Sequence, residues 1–220
     1  MYLISQFSLR ITKEQELPVL RVNGREQSAD PKSIFYFPDK YDYPSFVSIM
    51  AFDISSTKFA QTPNVITLVI ENSYNLFVSE SNIYLTHQNF NREEQSTQVH
   101  KVFYDKDRLI PRADGEVPGY IINQFSMDEF NDIFRIATTV GFGDKSSSGV
   151  YCLDEEMEII GQVDGIAPTE RIFSTRFIGD ILYMVTFRQV DPFFTIDLSD
   201  HENPTTVSYT HLTLPTICSV

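Results

Sequence analysis

One stretch of fourteen residues occurs twice in this chain, and no other feature constrains its fold more. Phe125–Thr138 (FSMDEFNDIFRIAT) aligns without a gap to Phe173–Thr186 (FSTRFIGDILYMVT), an offset of 48. Phe125 matches Phe173, Ser126 matches Ser174, Asp132–Ile133 matches Asp180–Ile181, and Thr138 matches Thr186. The flanks repeat too: Asp114–Gly115 and Pro118 precede the first copy as Asp164–Gly165 and Pro168 precede the second. Beyond the copies, Val150–Asp154 (VYCLD) corresponds to Phe193–Asp197 (FFTID). A weaker copy runs through Leu76–Thr86 and Gln98–Asp105, with a remnant at Phe46–Asp53.

Each unit parses into short strands. Ile172–Phe177 leads to a polar turn at Gly179–Asp180, and Ile181–Phe187 then alternates Ile181, Tyr183, Val185 and Phe187 on one face. A third strand ends at Asp197, and Met157–Val163 is a fourth strand of the earlier copy. Apolar alternation at period two is a strand signal, and the chain's 18 Phe and 11 Tyr favour strands further. Four short strands recurring at about 50 residues mark the blades of a β-propeller. The expected fold is all-β, an incomplete propeller of about three four-stranded antiparallel blades. Residues 1–45 read as a partial blade or linker and residues 46–206 as the propeller arc. An arc of this kind leaves sheet edges and an apolar blade face uncovered, so the chain made alone is expected to associate.

The chain's end reads differently. Val207–Thr216 (VSYTHLTLPT) matches the in-frame translation of a transposon-end adapter used in sequencing libraries, and Val207–Val220 carries no Asp, Glu, Lys or Arg. This segment is set aside as a non-native tail, and His211 and Cys218 with it.

The strongest family likeness lies in Gln124–Thr139 (QFSMDEFNDIFRIATT) and Gly165–Asp200, with Phe46–Ile54 and Val78–Thr86 in support. These stretches, and the run Phe187–Ile196 (FRQVDPFFTI) above all, resemble secreted proteins with a C-terminal β-propeller domain found in archaea and some bacteria. His201 departs from that pattern, standing where the family has Pro. The resemblance implies an extracytoplasmic protein, secreted or at the cell surface, and brings no catalytic residues. The N-terminal residues show no basic region followed by an apolar one, so any signal peptide is expected upstream.

Charge narrows the partners. Seventeen Lys and Arg against 30 Asp and Glu give a net charge of −13, which opposes binding to phosphate backbones. Nucleic acid is excluded on this ground, and no run of the sequence reaches membrane-spanning length. A protein, a glycan or another surface ligand remains as partner.

No motif names a reaction or calls for a cofactor. Asp154, Glu155, Glu156 and Glu158 lack the glycine-bearing spacing of a calcium loop and read as a solvated hairpin tip, as does Asp105–Asp107. In Gly141–Gly149 (GFGDKSSSG) Asp144 precedes Lys145 where a phosphate-binding loop needs Gly. His87, His100 and His201 are placed in different blades or at their margins, and Cys152 reads as a small buried hydrophobe. Arg135, Arg176, Arg188 and Asp191, with Asp128 and Glu129, are the candidate binding residues. An arginine in a strand pattern is costly to bury unless it meets a carboxylate, so a structural ion pair between blades competes with ligand binding there. Arg176 is expected on an innermost strand. The leading function is an interaction scaffold; the alternatives are a hydrolase or lyase at the channel mouth, and a structural module of a surface layer.

Overall fold

A computed structural model describes residues 2–7, 17–22, 24–37, 44–52, 63–71, 75–90, 95–106, 108–187 and 192–211. In chain order the strands are β1 (Tyr2–Phe7), β2 (Val19–Val22), β3 (Arg25–Ser28), β4 (Ile34–Tyr36), β5 (Ser45–Ala51) and β6 (Asn64–Ile70). Next come β7 (Asn75–Val78), β8 (Asn82–Phe90), β9 (Gln95–Asp105), β10 (Arg108–Pro118), β11 (Met127–Phe130) and β12 (Ile133–Val140). The last are β13 (Ser147–Leu153), β14 (Ile159–Ile166), β15 (Arg171–Ile178), β16 (Ile181–Phe187), β17 (Pro192–Asp197) and β18 (Thr205–His211).

The described strands make four four-stranded sheets where the sequence copies made about three countable. Three are simple meanders: β7 to β10, β11 to β14 and β15 to β18. The first sheet is ordered β1-β5-β6-β4, and β4 lies parallel to β6, with Ile34 opposite Thr67. A separate hairpin, β2–β3, turns at Gly24. The Asn-Gly pair at Asn23–Gly24 is the sequence signal for that hairpin.

The two copies of the repeat occupy equivalent places in two different sheets. Phe130 pairs with Ile133 across Asn131–Asp132, and Ile178 pairs with Ile181 across Gly179–Asp180. Asn131, Asp132 and Gly179 have φ of 53°, 64° and 55°, as two-residue hairpin turns require. The segment set aside as a tail is in part built into this scheme. Val207–His211 lies within β18, antiparallel to β17, with Thr195 opposite Ser208.

The chain divides into two compact units, residues 1–87 with 99–114, and residues 88–98 with 115–220. In the first unit, Val47, Ile49, Ile66, Leu68 and Ile70 pack against Ile83, Leu85 and Val102, one sheet face against the next. His87 and His100 sit on the neighbouring strands β8 and β9 of one sheet, a correction to their expected dispersal. Both are buried; His87 pairs with Glu71, and His100 lies against Phe37 with ring centroids 4.9 Å apart.

In the second unit, Ala137, Val150, Cys152 and Ile166 pack on Ile172, Leu182, Met184, Phe194 and Ile196 of the following sheet. Each such burial contributes about 1.5–3 kcal/mol for a large side chain. On β16 the fully buried face is therefore Leu182, Met184 and Thr186, while Ile181, Tyr183 and Val185 are only half-buried. Polar links stitch the same two sheets together. The Ile172 amide donates to Thr139 Oγ1 at 3.0 Å, the Thr169 amide to the Ser146 carbonyl at 2.7 Å, and Thr175 Oγ1 to the Phe125 carbonyl at 3.0 Å.

Candidate binding face

Within the second unit the two ends of the sheets carry different chemistry. At one end lie the turns that join first to second and third to fourth strands. They present Asp132, Asp180, Asp154, Glu155, Glu156 and Glu158, together with Asp197, Asp200 and Glu202. Asp154 accepts the Glu158 amide at 2.9 Å, closing the hairpin tip expected there. Hydrogen bonds from the Ser199 backbone hold the Asp197 carboxyl below its ordinary range, and the Asn203 side chain does the same for Asp200. No group of His, Cys, Asp or Glu among the described residues is arranged to hold a metal ion.

The opposite end is aromatic. Phe90 closes β8, Tyr120 follows β10, and Phe142 follows β12. Phe90 and Phe142 are 58% and 63% exposed. Their rings flank Tyr120, with centroids 5.9 Å and 6.1 Å away. Phe125 and its repeat partner Phe173 are exposed at the same end, and Phe173 lies 6.2 Å from Phe187.

The backbone beneath the first three rings is closely held. Tyr120 and Thr139 exchange both backbone hydrogen bonds at 2.9 Å. The Gln95 carbonyl accepts the Gly119 amide at 2.7 Å, and its side-chain oxygen accepts the Gly141 amide at 2.9 Å. Thr97 Oγ1 donates to the Gly119 carbonyl at 2.8 Å, and Gln88 Nε2 to the Ile121 carbonyl at 2.9 Å. Gly119 has φ of +86°, and a Cβ there would stand 2.5 Å from the Thr139 carbonyl oxygen. Only glycine fits such a position. The rings therefore project from a preorganised support.

The residues singled out in the sequence have several placements. Arg135, on β12, is buried beside Asp128 on β11, its direct cross-strand partner, and the two form an ion pair. Nη1 of Arg135 donates to the Gly179 carbonyl of the next sheet at 2.8 Å, and the guanidinium lies over Phe130 and Phe177. Glu129, on β11, is half-buried opposite Phe134. Arg176 is exposed on β15, opposite Tyr183. It occupies the repeat position that Asp128 holds in the preceding sheet. Arg188 and Asp191 lie outside the described residues.

Cys152 lies opposite Arg135 in the register and is fully buried. Burial pushes its thiol up to about 11, although the Arg135 charge opposes the rise, so thiolate chemistry is suppressed there. Asp105 is held below its ordinary range by its hydrogen bond from Arg108. In the loop after β12, Gly143–Lys145 forms one turn of 3-10 helix, and Ser146 Oγ donates to the Gly143 carbonyl at 2.7 Å. No nucleotide cradle is formed there.

The aromatic trio was not singled out in the sequence. Its signal was the set of aromatics at or just beyond strand ends, Phe90, Tyr120 and Phe142, which read individually as ordinary apolar residues.

Four-stranded sheets, paired face to face and linked at equivalent repeat positions, are the blades of a β-propeller, a scaffold suited to interaction. The chain belongs to the β-propeller domain family, whose pattern it matches over residues 3–213. It is 42% identical over 127 residues to an uncharacterised protein of Archaeoglobus fulgidus, covering 57% of this chain and 20% of that one. It is also 42% identical over 93 residues to an uncharacterised protein of Methanocaldococcus jannaschii, covering 41% of this chain and 15% of the relative. The matched region thus spans a fifth or less of either relative.

Proposed function

We propose that this propeller is an extracytoplasmic recognition module whose working face is the aromatic end of its sheets. The observation that carries the reading is the fixed trio Phe90, Tyr120 and Phe142, in which exposed Phe90 and Phe142 flank a half-buried Tyr120. Exposed aromatic patches on rigid supports are costly in water and mark interaction surfaces. Loops at sheet ends are where such scaffolds carry function. The extracytoplasmic setting rests on the resemblance of Phe187–Ile196 and its neighbours to secreted propeller proteins. The hydrolase or lyase alternative gains no observation of its own, since His87 and His100 are buried in a unit core and Cys152 is a buried thiol.

Hydroxyl-radical footprinting in the presence of cell-envelope material from the native host tests the reading. The expected result is loss of labelling at Phe90, Phe142 and Phe173, with His201 at the acidic end unchanged. Protection confined to the acidic end, or none at all, overturns it. Protease accessibility of the native protein on intact cells tests the location, and complete protection in intact cells would refute it.

A further inference from the structure

We infer that the chain forms a twofold dimer through the uncovered face of the β15–β18 sheet, with Arg176 of each copy set against Asp197 of the other copy. Residues opposite each other in a sheet share a face, as does every second residue along a strand. The register therefore puts Ile178, Ile181 and Asp197 in one row of this face and Arg176, Tyr183 and Thr195 in the next. Ser174, Val185 and Phe193 make a third row. Across these rows the charges are one cation and one anion, in a chain with 30 acidic residues against 17 basic ones. A second copy is as acidic as the first, so long-range repulsion favours contact where the surface is locally balanced. This face meets that condition, and the acidic turns at the sheet ends do not.

The two charges do not serve each other within the sheet. Arg176 lies on β15 and Asp197 on β17, with β16 between them. Arg176 has no ion pair among the described residues. Asp197 Oδ1 accepts the Ser199 amide at 2.9 Å, and a carboxylate has acceptor capacity beyond one such bond. The preceding sheet meets the same need internally. Asp128 holds the equivalent place there and pairs with Arg135, and the sheet that covers them brings only the Phe177 ring and the Gly179 carbonyl. Cover of that kind would leave the Arg176 charge unanswered, whereas a second copy brings Asp197. In a face-to-face pair related by a twofold axis, the Arg176–Asp197 contact occurs twice. An axis running obliquely across β16 makes that contact and lays the apolar rows of the two copies together, around the stacked Tyr183 and Phe193. One sheet face is small beside a permanent interface, so dimer and monomer exchange.

Sedimentation equilibrium of the full chain across a concentration series tests the inference. The mass should rise from one copy toward two and stop there. Arg176→Glu should raise the dissociation constant roughly tenfold or more, since it turns both contacts repulsive. Lys145→Glu makes the same change in net charge at an exposed residue in the loop after β12 and should have far less effect. Asp197→Asn, which keeps an acceptor for the Ser199 amide, should also weaken the dimer. Asp197→Lys placed in the Arg176→Glu chain should restore it, with circular dichroism confirming that each variant keeps its strands. A mass that stays at one copy, or growth past two without a plateau, overturns the inference. So do equal losses in Arg176→Glu and Lys145→Glu, or a dimer indifferent to both Arg176→Glu and Asp197→Asn.

Discussion

Arg135 is 1% exposed, a setting in which a cation persists only with its donors satisfied. Asp128 supplies the charge, the Gly179 carbonyl takes Nη1, and two phenyl faces cover the guanidinium. Sequence reasoning reached half of this: a strand arginine needed a carboxylate, and Asp128 was among the residues named with it. The ion pair, however, closes within one hairpin, and the link to the next sheet is a carbonyl of the backbone, which carries no side-chain signal. Arg135→Ala strands Asp128 and should lower unfolding free energy by about 3–5 kcal/mol, read from urea denaturation. Arg135→Met paired with Asp128→Leu should recover most of that loss, because no charge is then left buried alone. A double variant as unstable as the single one would show that the arginine's shape, and not its charge balance, is what the site requires.

Elements were legible where local chemistry decides them. The second copy was read as strands over Ile172–Phe177 and Ile181–Phe187, and it folds as β15 and β16 with the latter's limits unchanged. The turns dictate this register, since a two-residue connection leaves no freedom in the pairing. Asn131 and Asp132 both adopt left-handed φ, which β-branched residues avoid. Asp132→Gly should therefore be neutral or stabilising, and Asp132→Val should cost about 1–2 kcal/mol, both measured by thermal unfolding. Equal melting temperatures for the two variants would contradict the turn assignment. The parallel pairing of β4 with β6 escaped the sequence because it depends on chain distant from the repeat. The aromatic trio escaped for the same reason: Phe90 and Phe142 are far apart in the chain, and their convergence depends on the Tyr120–Thr139 bridge and on Gln95.

At the scale of the whole molecule, the repeat exposes one surface that its neighbour covers. On β12 and β13 the face bearing Arg135, Ala137, Val150 and Cys152 is buried by the following sheet. Tyr183, Val185, Phe193 and Thr195 occupy the equivalent places on β16 and β17 and are only half-buried, beside an exposed Ile178. Tyr183 and Phe193 stack on each other at 5.7 Å on that face. An apolar sheet face of this kind drives association, while the net charge of −13 opposes it. The chain should therefore self-associate with rising concentration, and more strongly with added salt as the repulsion is screened. Sedimentation velocity across a concentration series should show the shift. Tyr183→Glu should return the chain to monomer by placing a charge on the uncovered face. Leu182→Glu, one residue away on the buried face, should unfold the sheet instead. A chain that stays monomeric at high salt would refute the association, while Leu182→Glu should unfold the sheet in either case because Leu182 is fully buried.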